Sequence, residues 1–139
     1  MKVSALIPAK SFANAKKRLT PSLTPSERKV LAKTMLRDVL EQVVPARGLE
    51  GTFVVTANDD VDRLASSLGA WVIREKEENG ETSAVQMALA ELRRRGVDAV
   101  LVLPGDIPLI RSEDVELVLA QVAEEKLDSP FALLVPSHD

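Results

Sequence analysis

Continuous apolar runs alternate with amphipathic segments along the chain, and this alternation constrains the fold more than any other feature. Three runs are mainly apolar and do not alternate with polar residues: Val3–Pro8, Thr52–Ala57 and Ala99–Leu103. Such strands are typical of parallel sheets that are covered on both faces. Between the runs, apolar residues recur at helical spacing. The stretch after the first run shows this with Leu31, Met35, Leu36, Val39, Leu40 and Val43.

The predicted order is strand then helix, repeated four times and followed by a fifth strand. The two remaining strands are predicted at Ala70–Arg74 and Phe131–Val135. Four helices are predicted: one from Pro25 to the stop at Pro45, a short one that follows the turn and cap Asn58-Asp59-Asp60 and runs to about Leu68, and two more at Ser83–Arg95 and Ser112–Lys126. Right-handed crossovers then give an α/β fold, a mostly parallel sheet with helices on both faces. No internal repeat or linker divides the chain, so residues 1–139 are predicted to form a single domain.

Residues at the helix ends support these boundaries. Thr24 is the predicted N-cap of the first helix, Pro25 takes the first helical position, and Glu27 can return a bond to the cap. Gly96 marks the end of the third helix. Ser112 is the predicted cap of the fourth.

Composition excludes several classes of chemistry. The 139 residues include no Cys, which excludes disulfides, thiolate zinc sites, iron–sulfur clusters and a cysteine nucleophile. The one histidine, His138, stands next to the last residue, which argues against a His-based triad or a multi-His metal site. No apolar run approaches the roughly 18 residues of a membrane span, and the first residues do not form a signal peptide. We therefore expect a cytoplasmic protein that does not bind a membrane.

Charge is distributed unevenly along the chain. Residues 1–48 hold ten Lys and Arg against three Asp and Glu, a net charge of +7, whereas residues 49–139 hold eight against eighteen, a net charge of −10. The basic part is either a solvated helix face or a site for an anion. The chain has four aromatic residues, which are few for stacking on the bases of a nucleic acid. We therefore expect a small anion as the ligand and no binding of nucleic acid.

A cationic loop follows the first predicted strand, and in an open parallel sheet ligands collect at such strand ends. Four cations lie between Lys10 and Arg18, interleaved with small residues that allow a ligand to approach the backbone. Cations and backbone N–H groups together suit a polyphosphate. The loop has neither the P-loop nor the dinucleotide-binding glycine pattern. A basic surface loop without a ligand remains the alternative.

A carboxylate follows the fourth predicted strand. In Leu103-Pro104-Gly105-Asp106, Asp106 would project at the strand end, where Mg²⁺ and nucleotide phosphates could lie. Magnesium favours one or two carboxylates together with phosphate and water oxygens. An Asp in a tight turn is the alternative.

Together the two segments resemble the 2-phospho-L-lactate guanylyltransferase family of coenzyme F420 biosynthesis. The resemblance rests on Ile7-Pro8-Ala9-Lys10, on Ala15-Lys16-Lys17-Arg18-Leu19, and on Leu103-Pro104-Gly105-Asp106-Ile107-Pro108-Leu109. These are similar to the family's "P-x-K…A-K-x-R-L" loop and its "D-x-P-L" strand end. The resemblance implies a GT-A-like nucleotidyltransferase fold. It also implies transfer of GMP from GTP to 2-phospholactate, phosphoenolpyruvate or 3-phosphoglycerate, with release of pyrophosphate.

The resemblance also implies a set of site residues. Carried over by position, the cations that hold the triphosphate are Lys10, Lys16 and Arg18, with Pro8 and Ala9 beside them at the nucleotide. Asp106 would bind Mg²⁺. Glu81 and Ser83 are assigned to the nucleoside or acceptor, with helix capping as the alternative.

Family members extend further at the carboxyl end, where a "G-T-N" loop and late carboxylates complete the site, so the resemblance implies a domain that is incomplete here. Two other functions stay open. One is a nucleotidyltransferase of the same fold that acts on a sugar phosphate or a molybdopterin acceptor. The other is a non-catalytic nucleotide-binding module. A homodimer formed through an exposed helix face is also left open.

Overall fold

The computed structural model describes residues 2–13, 22–106, 109–124 and 132–134, with Glu124 and the last three described by their backbone alone. Lys16 and Arg18 lie outside the described residues. The order of elements is the predicted one, strand and helix in strict alternation. The strands are β1 (Val3–Pro8), β2 (Leu49–Thr56), β3 (Trp71–Arg74), β4 (Ala99–Val102) and β5 (Ala132–Leu134). The helices are α1 (Pro25–Val43), α2 (Asp59–Ser67), α3 (Glu81–Arg94) and α4 (Ser112–Glu124).

The strands form one sheet in the order β3-β2-β1-β4-β5, and every neighbouring pair is parallel. Leu6 in the central strand pairs with Phe53 on one side and with Val102 on the other. All carboxyl ends therefore lie along the same edge of the sheet. The predicted α/β class with a parallel sheet is confirmed.

Helices cover both faces of the sheet. On one face α1, α2 and α4 pack against alternate strand residues that include Ile7, Val54 and Leu101. On the other face α3 packs against a set that includes Leu6 and Val102. Burial on both sides explains why the central strands have continuous apolar stretches such as Ala5–Ile7 and Phe53–Val55.

The connection through α4 has the opposite hand to the other three. The chain steps from β1 to β2 and from β4 to β5 in opposite directions along the sheet, yet α1 and α4 cover the same face. Parallel crossovers in one sheet are right-handed in about 98% of cases. The prediction of one hand for every crossover is therefore wrong for the fourth. α4 is held on this face by the burial of Val115 in the core cluster of α1 and by a hydrogen bond from the Ser112 N–H to Gln42 Oε1 of α1 at 3.1 Å.

The predicted cap of α1 is confirmed and that of α4 is wrong. The Glu27 N–H donates to Thr24 Oγ1 at 3.1 Å, and the Thr24 N–H donates to Glu27 Oε1 at 2.9 Å. Ser112 is the first helical residue, and its hydroxyl donates to the carbonyl of Gln42. The Arg111 N–H donates to Asp114 Oδ2 at 2.9 Å instead. The serine therefore joins two helices and does not cap its own.

Candidate active site

The carboxyl edge of the sheet brings the ends of β1 and β4 together. Gly105 packs against the end of β1, where a Cβ placed on it would lie 3.4 Å from Ile7 Cγ2 and 3.6 Å from the carbonyl oxygen of Pro8. Lys10 follows Pro8 and Asp106 follows Gly105. Two predicted site segments that are about a hundred residues apart in sequence therefore emerge side by side from neighbouring strands.

The loop after β1 leads towards the segment that precedes α3. The Ala9 N–H donates to the carbonyl of Val55 at 3.0 Å, which continues the pairing of β1 with β2 past the end of the strand. The Ser11 N–H then donates to Glu78 Oε2 at 3.4 Å. Lys10, between these two anchors, has an exposed side chain. The backbone around Lys10 is thus held at the sheet edge while its ammonium group can reach a ligand.

The first turn of α3 contains the other two predicted residues, Glu81 and Ser83. Gly80 is the N-cap, with φ +94°, and no side chain caps the helix. The alternative that Glu81 and Ser83 cap this helix is therefore wrong. The first bond of the helix runs from the Ala84 N–H to the Gly80 carbonyl at 3.2 Å, so the preceding N–H groups of the turn have no partner within the helix. Glu81 and Ser83 are both exposed at the positive end of the helix.

An acidic segment lies between β3 and α3. The Glu75 N–H donates to the carbonyl of Thr56 at 3.0 Å, which holds this residue at the carboxyl edge. Burial raises the pKa of the Glu75 carboxyl, and the nearby charge of Glu78 raises it further. Glu78, which accepts from Ser11, therefore places negative charge close to the cationic loop.

Asp106 is the described carboxylate that follows β4, and its side chain is half-buried. Across the described ranges, no group of three or more His, Cys, Asp or Glu side chains could hold a metal ion by itself. A single carboxylate beside a nucleotide suits Mg²⁺, because this ion takes most of its ligands from phosphate and water. Asp106 fits the role of one ligand in such a shared site.

Arg28 is a candidate that sequence reasoning missed. Its side chain is 9% exposed and lies on the side of α1 that faces the sheet, in line with Ala32 and Leu36. A charged residue in an amphipathic helix is normally assigned to the solvent face. The available signal was its spacing of four and eight residues from Ala32 and Leu36.

A basic groove between α1 and α2 accounts for part of the positive charge in the first 48 residues. The groove has a volume of about 510 Å³. Its lining includes Lys29, Lys33 and Arg37 from α1 and Arg63 from α2. Arg63 forms an ion pair with Asp60 in the same helix. The three α1 cations are exposed, as the solvated-face interpretation expects, and the anion site in the loop after β1 stays a prediction.

Comparison with known proteins gives relatives that are guanylyltransferases. A 2-phospho-L-lactate guanylyltransferase of Methanothermobacter thermautotrophicus is 40% identical over 119 residues, which are 86% of this chain and 52% of the relative. A phosphoenolpyruvate guanylyltransferase of Conexibacter woesei is 32% identical over 99% of this chain and 60% of the relative. A 3-phospho-D-glycerate guanylyltransferase of Phenylobacterium zucineum is 33% identical over 83% of this chain and 54% of the relative. The chain spans about half to three fifths of the length of these relatives.

Solved structures with the same fold are nucleotidyltransferases. A cytidylyltransferase of Leptospira borgpetersenii matches 91% of this chain and 51% of its own, with a TM-score of 0.64 and 22% identity. A nucleotidyl transferase of Methanothermobacter thermautotrophicus matches over 86% of this chain and 57% of that protein's chain, with a TM-score of 0.62 and 18% identity. At this level of identity the likeness establishes the fold alone, and it confirms the predicted GT-A-like nucleotidyltransferase architecture. The family model described as "Guanylyl transferase CofC like" matches residues 3–129. The chain belongs to this family of CofC-like guanylyl transferases.

Proposed function

We propose that the protein transfers GMP from GTP to the phosphate of a small phosphorylated acid and releases pyrophosphate, as a step of coenzyme F420 biosynthesis. Membership of the guanylyl transferase family supports the reaction class. The observation that carries the proposal is that β1 and β4 pair in parallel and that Gly105 packs on the end of β1, so that the segments of Lys10 and Asp106 leave the sheet side by side.

The reaction requires no nucleophile from the protein. An oxygen of the acceptor phosphate attacks the α-phosphorus of GTP, and the bond from that phosphorus to the oxygen bridging to the β-phosphate breaks. The electron pair leaves with pyrophosphate. Because the attacking oxygen is already ionised, no strong general base is needed. Catalysis is then alignment of the two substrates and neutralisation of charge.

Each predicted residue has a role in that scheme. Lys10, and with it Lys16 and Arg18, would neutralise the triphosphate, while Pro8 and Ala9 place the backbone close to it. Glu81 and Ser83, in the open first turn of α3, would contact the nucleoside or the acceptor. Asp106 would hold Mg²⁺, which supplies charge neutralisation on the phosphate oxygens when bound.

The acceptor class follows from what the relatives' substrates have in common. Relatives at similar identity are named for 2-phospholactate, phosphoenolpyruvate and 3-phosphoglycerate. All three are three-carbon acids that carry one carboxylate and one phosphate. We therefore propose an acceptor of this class.

Pyrophosphate release tests the proposal. The protein, made in the full length that its gene encodes, is incubated with Mg²⁺, GTP and each of the three acids in turn. We expect release with at least one acid, and much less with ATP, CTP or UTP. A preference for CTP or UTP with a sugar phosphate would instead support another nucleotidyltransferase of this fold. GTP binding without turnover, measured by calorimetry, would support a non-catalytic module, and absence of any nucleotide binding would contradict every nucleotide-based function.

A cytoplasmic location is part of the same proposal, because GTP and phosphorylated acids are metabolites of the cell interior. No helix within the described ranges has both the length and the apolar character to cross a bilayer. The homodimer stays a prediction that a measurement of molecular mass in solution would test.

A further inference from the structure

Arg28 is a buried cation, and two of its guanidinium nitrogens have no hydrogen-bond partner among the described residues. It lies in the first turns of α1, and its backbone N–H donates to the carbonyl of Thr24 at 2.9 Å. Its side chain is 9% exposed. Among the residues that the structure describes, neither Nε nor Nη1 has a hydrogen-bond partner, and both atoms are shielded from solvent.

A phosphate or carboxylate oxygen would satisfy the two unpartnered nitrogens of Arg28. A guanidinium group is a cation whose N–H groups can only donate, so its burial is offset only by acceptors around it. A buried charge is strongly unfavourable unless it is paired and hydrogen-bonded. Arg74 shows how this chain satisfies an arginine elsewhere, since it donates to Asp59 and to Asp62 at 3.0 Å each.

The position of Arg28 points to the carboxyl edge of the sheet. Because α1 connects two parallel strands, it runs antiparallel to β1 and begins at the carboxyl edge. Leu36, eight residues after Arg28 on the same side of the helix, lies 3.5 Å from the position of a Cβ on Gly105. Arg28 is closer to the start of α1 than Leu36 is. It therefore lies beyond the Leu36–Gly105 contact, at the carboxyl edge of the sheet, from which Lys10 and Asp106 also emerge.

We propose that Arg28 binds a phosphate group of a substrate. Nε and Nη1 together carry three N–H donors, and phosphate oxygens are the charged acceptors that guanidinium groups bind best. The proposal deepens the proposed function and rests on it, since the phosphate belongs either to the nucleotide triphosphate or to the acceptor. A carboxylate from a part of the chain outside the described residues is the competing explanation.

Steady-state kinetics of two variants test the assignment. Arg28→Met removes the charge and keeps much of the apolar stem, and Arg28→Lys keeps the charge but loses the donor geometry. Arg37→Met is the matched control, because Arg37 is an exposed arginine of the same helix. We expect Arg28→Met to raise the KM of one substrate at least tenfold, Arg28→Lys to recover part of this loss, and Arg37→Met to change neither KM.

The substrate whose KM rises identifies the source of the phosphate. A rise for GTP assigns Arg28 to the triphosphate, and a rise for the phosphorylated acid assigns it to the acceptor. Unchanged KM values for both substrates, together with a lowered melting temperature, would show that Arg28 pairs with a carboxylate of the protein and would overturn the proposal. If Arg28→Met does not fold, the KM values of Arg28→Lys decide between these outcomes.

Binding without turnover separates this inference from the proposed function. Calorimetry with inorganic pyrophosphate and with phosphoenolpyruvate, each on wild type and on Arg28→Lys, measures phosphate binding even if no product forms. Binding of either probe that weakens at least fivefold in Arg28→Lys would support the role of Arg28 even if guanylyl transfer failed. Equal binding by both proteins would contradict that role even if transfer succeeded.

Discussion

Gly105 packs against the end of β1, and a Cβ on Gly105 would lie in van der Waals contact with the carbonyl oxygen of Pro8, at 3.6 Å. The turn that carries Asp106 is thereby seated on the end of β1, from which Lys10 emerges. Two strands that pair along their length would place these residues at the same edge in any case. The packing of Gly105 continues the contact between the two segments beyond the paired residues of the strands.

The free energy of unfolding of Gly105 variants should therefore fall steeply as the substituted side chain becomes larger. In Gly105→Ala the added Cβ meets its neighbours at 3.4 to 3.6 Å, an ordinary contact, so the free energy of unfolding should change by less than about 0.5 kcal/mol. In Gly105→Val the additional methyl groups overfill the space beside Ile7 and Leu36, with a loss of about 1–3 kcal/mol. Urea unfolding measures both values. Equal losses for Ala and Val would show that this turn does not depend on the contact.

Asp106→Asn should reduce kcat by at least about 100-fold if Asp106 holds the metal ion, because the amide lacks the charge that attracts Mg²⁺. The Mg²⁺ concentration for half-maximal activity should rise as well. Asp38→Asn, at an exposed position of α1, is the control and should leave both quantities unchanged. Pyrophosphate release at a series of Mg²⁺ concentrations supplies the measurement. Wild-type activity in Asp106→Asn would remove this residue from the metal role.

Thr24→Ala should lower the free energy of unfolding by about 1 kcal/mol, since the Glu27 N–H loses the acceptor that caps α1. Thr24→Ser retains the hydroxyl and should retain most of the stability. Thr34→Ala, at an exposed position within the same helix, serves as the control. Chemical unfolding followed by circular dichroism compares the three variants. A loss in Thr34→Ala as large as that in Thr24→Ala would assign the effect to the alanine and not to the cap.

Glu27 gives the same cap a pH dependence. Hydrogen bonds from the backbone and then the side chain of Thr24 lower the pKa of Glu27 below its ordinary value of 4.5. The contribution of the carboxylate is therefore fully present above that value and is lost as the pH falls through the lowered pKa. In Glu27→Gln, stability should fall less steeply with acid below pH 4.5 than in the wild type. Urea unfolding at several acidic pH values measures the free energy of unfolding of both proteins. An equal fall of this free energy with decreasing pH in the two proteins would contradict the prediction.

Local patterns predicted much of the fold, because the apolar runs and the Thr24 cap act within a few residues of sequence. Contacts between distant segments were not predictable in this way. Ser112 bonds to Gln42 across 70 residues, and that contact places α4 beside α1. The inward face of α1 was also partly misjudged, since the structure buries Arg28 and Ala32 and half-buries the predicted Leu31 and Met35.

In the candidate site, too, local patterns could be predicted from the sequence and contacts between distant residues could not. That Lys10 and Asp106 lie at the carboxyl edge could be predicted, because each follows an apolar strand that ends abruptly. The spacing of Arg28 from Ala32 and Leu36 could have indicated its burial, but it could not show that Nε and Nη1 lack a partner among the described residues. The capping alternative for Glu81 and Ser83 failed because both residues lie inside the first turn of α3, whose N-cap is Gly80, a residue without a side chain.

Glu78→Gln should lower the pKa of Glu75 without restoring its ordinary value. Burial is the larger cause of the raised pKa and the charge of Glu78 the smaller, so only the second cause is removed. The folded state binds the Glu75 proton more tightly than the unfolded chain, and stability is therefore lost as the pH rises from 4.5 through the raised pKa. This loss should be smaller in Glu78→Gln. Glu77→Gln is the matched control, because Glu77 is not among the groups that shift Glu75. An NMR titration of the Glu75 side-chain carboxyl carbon measures the pKa directly, and an unchanged value in Glu78→Gln would show that the two carboxylates do not interact.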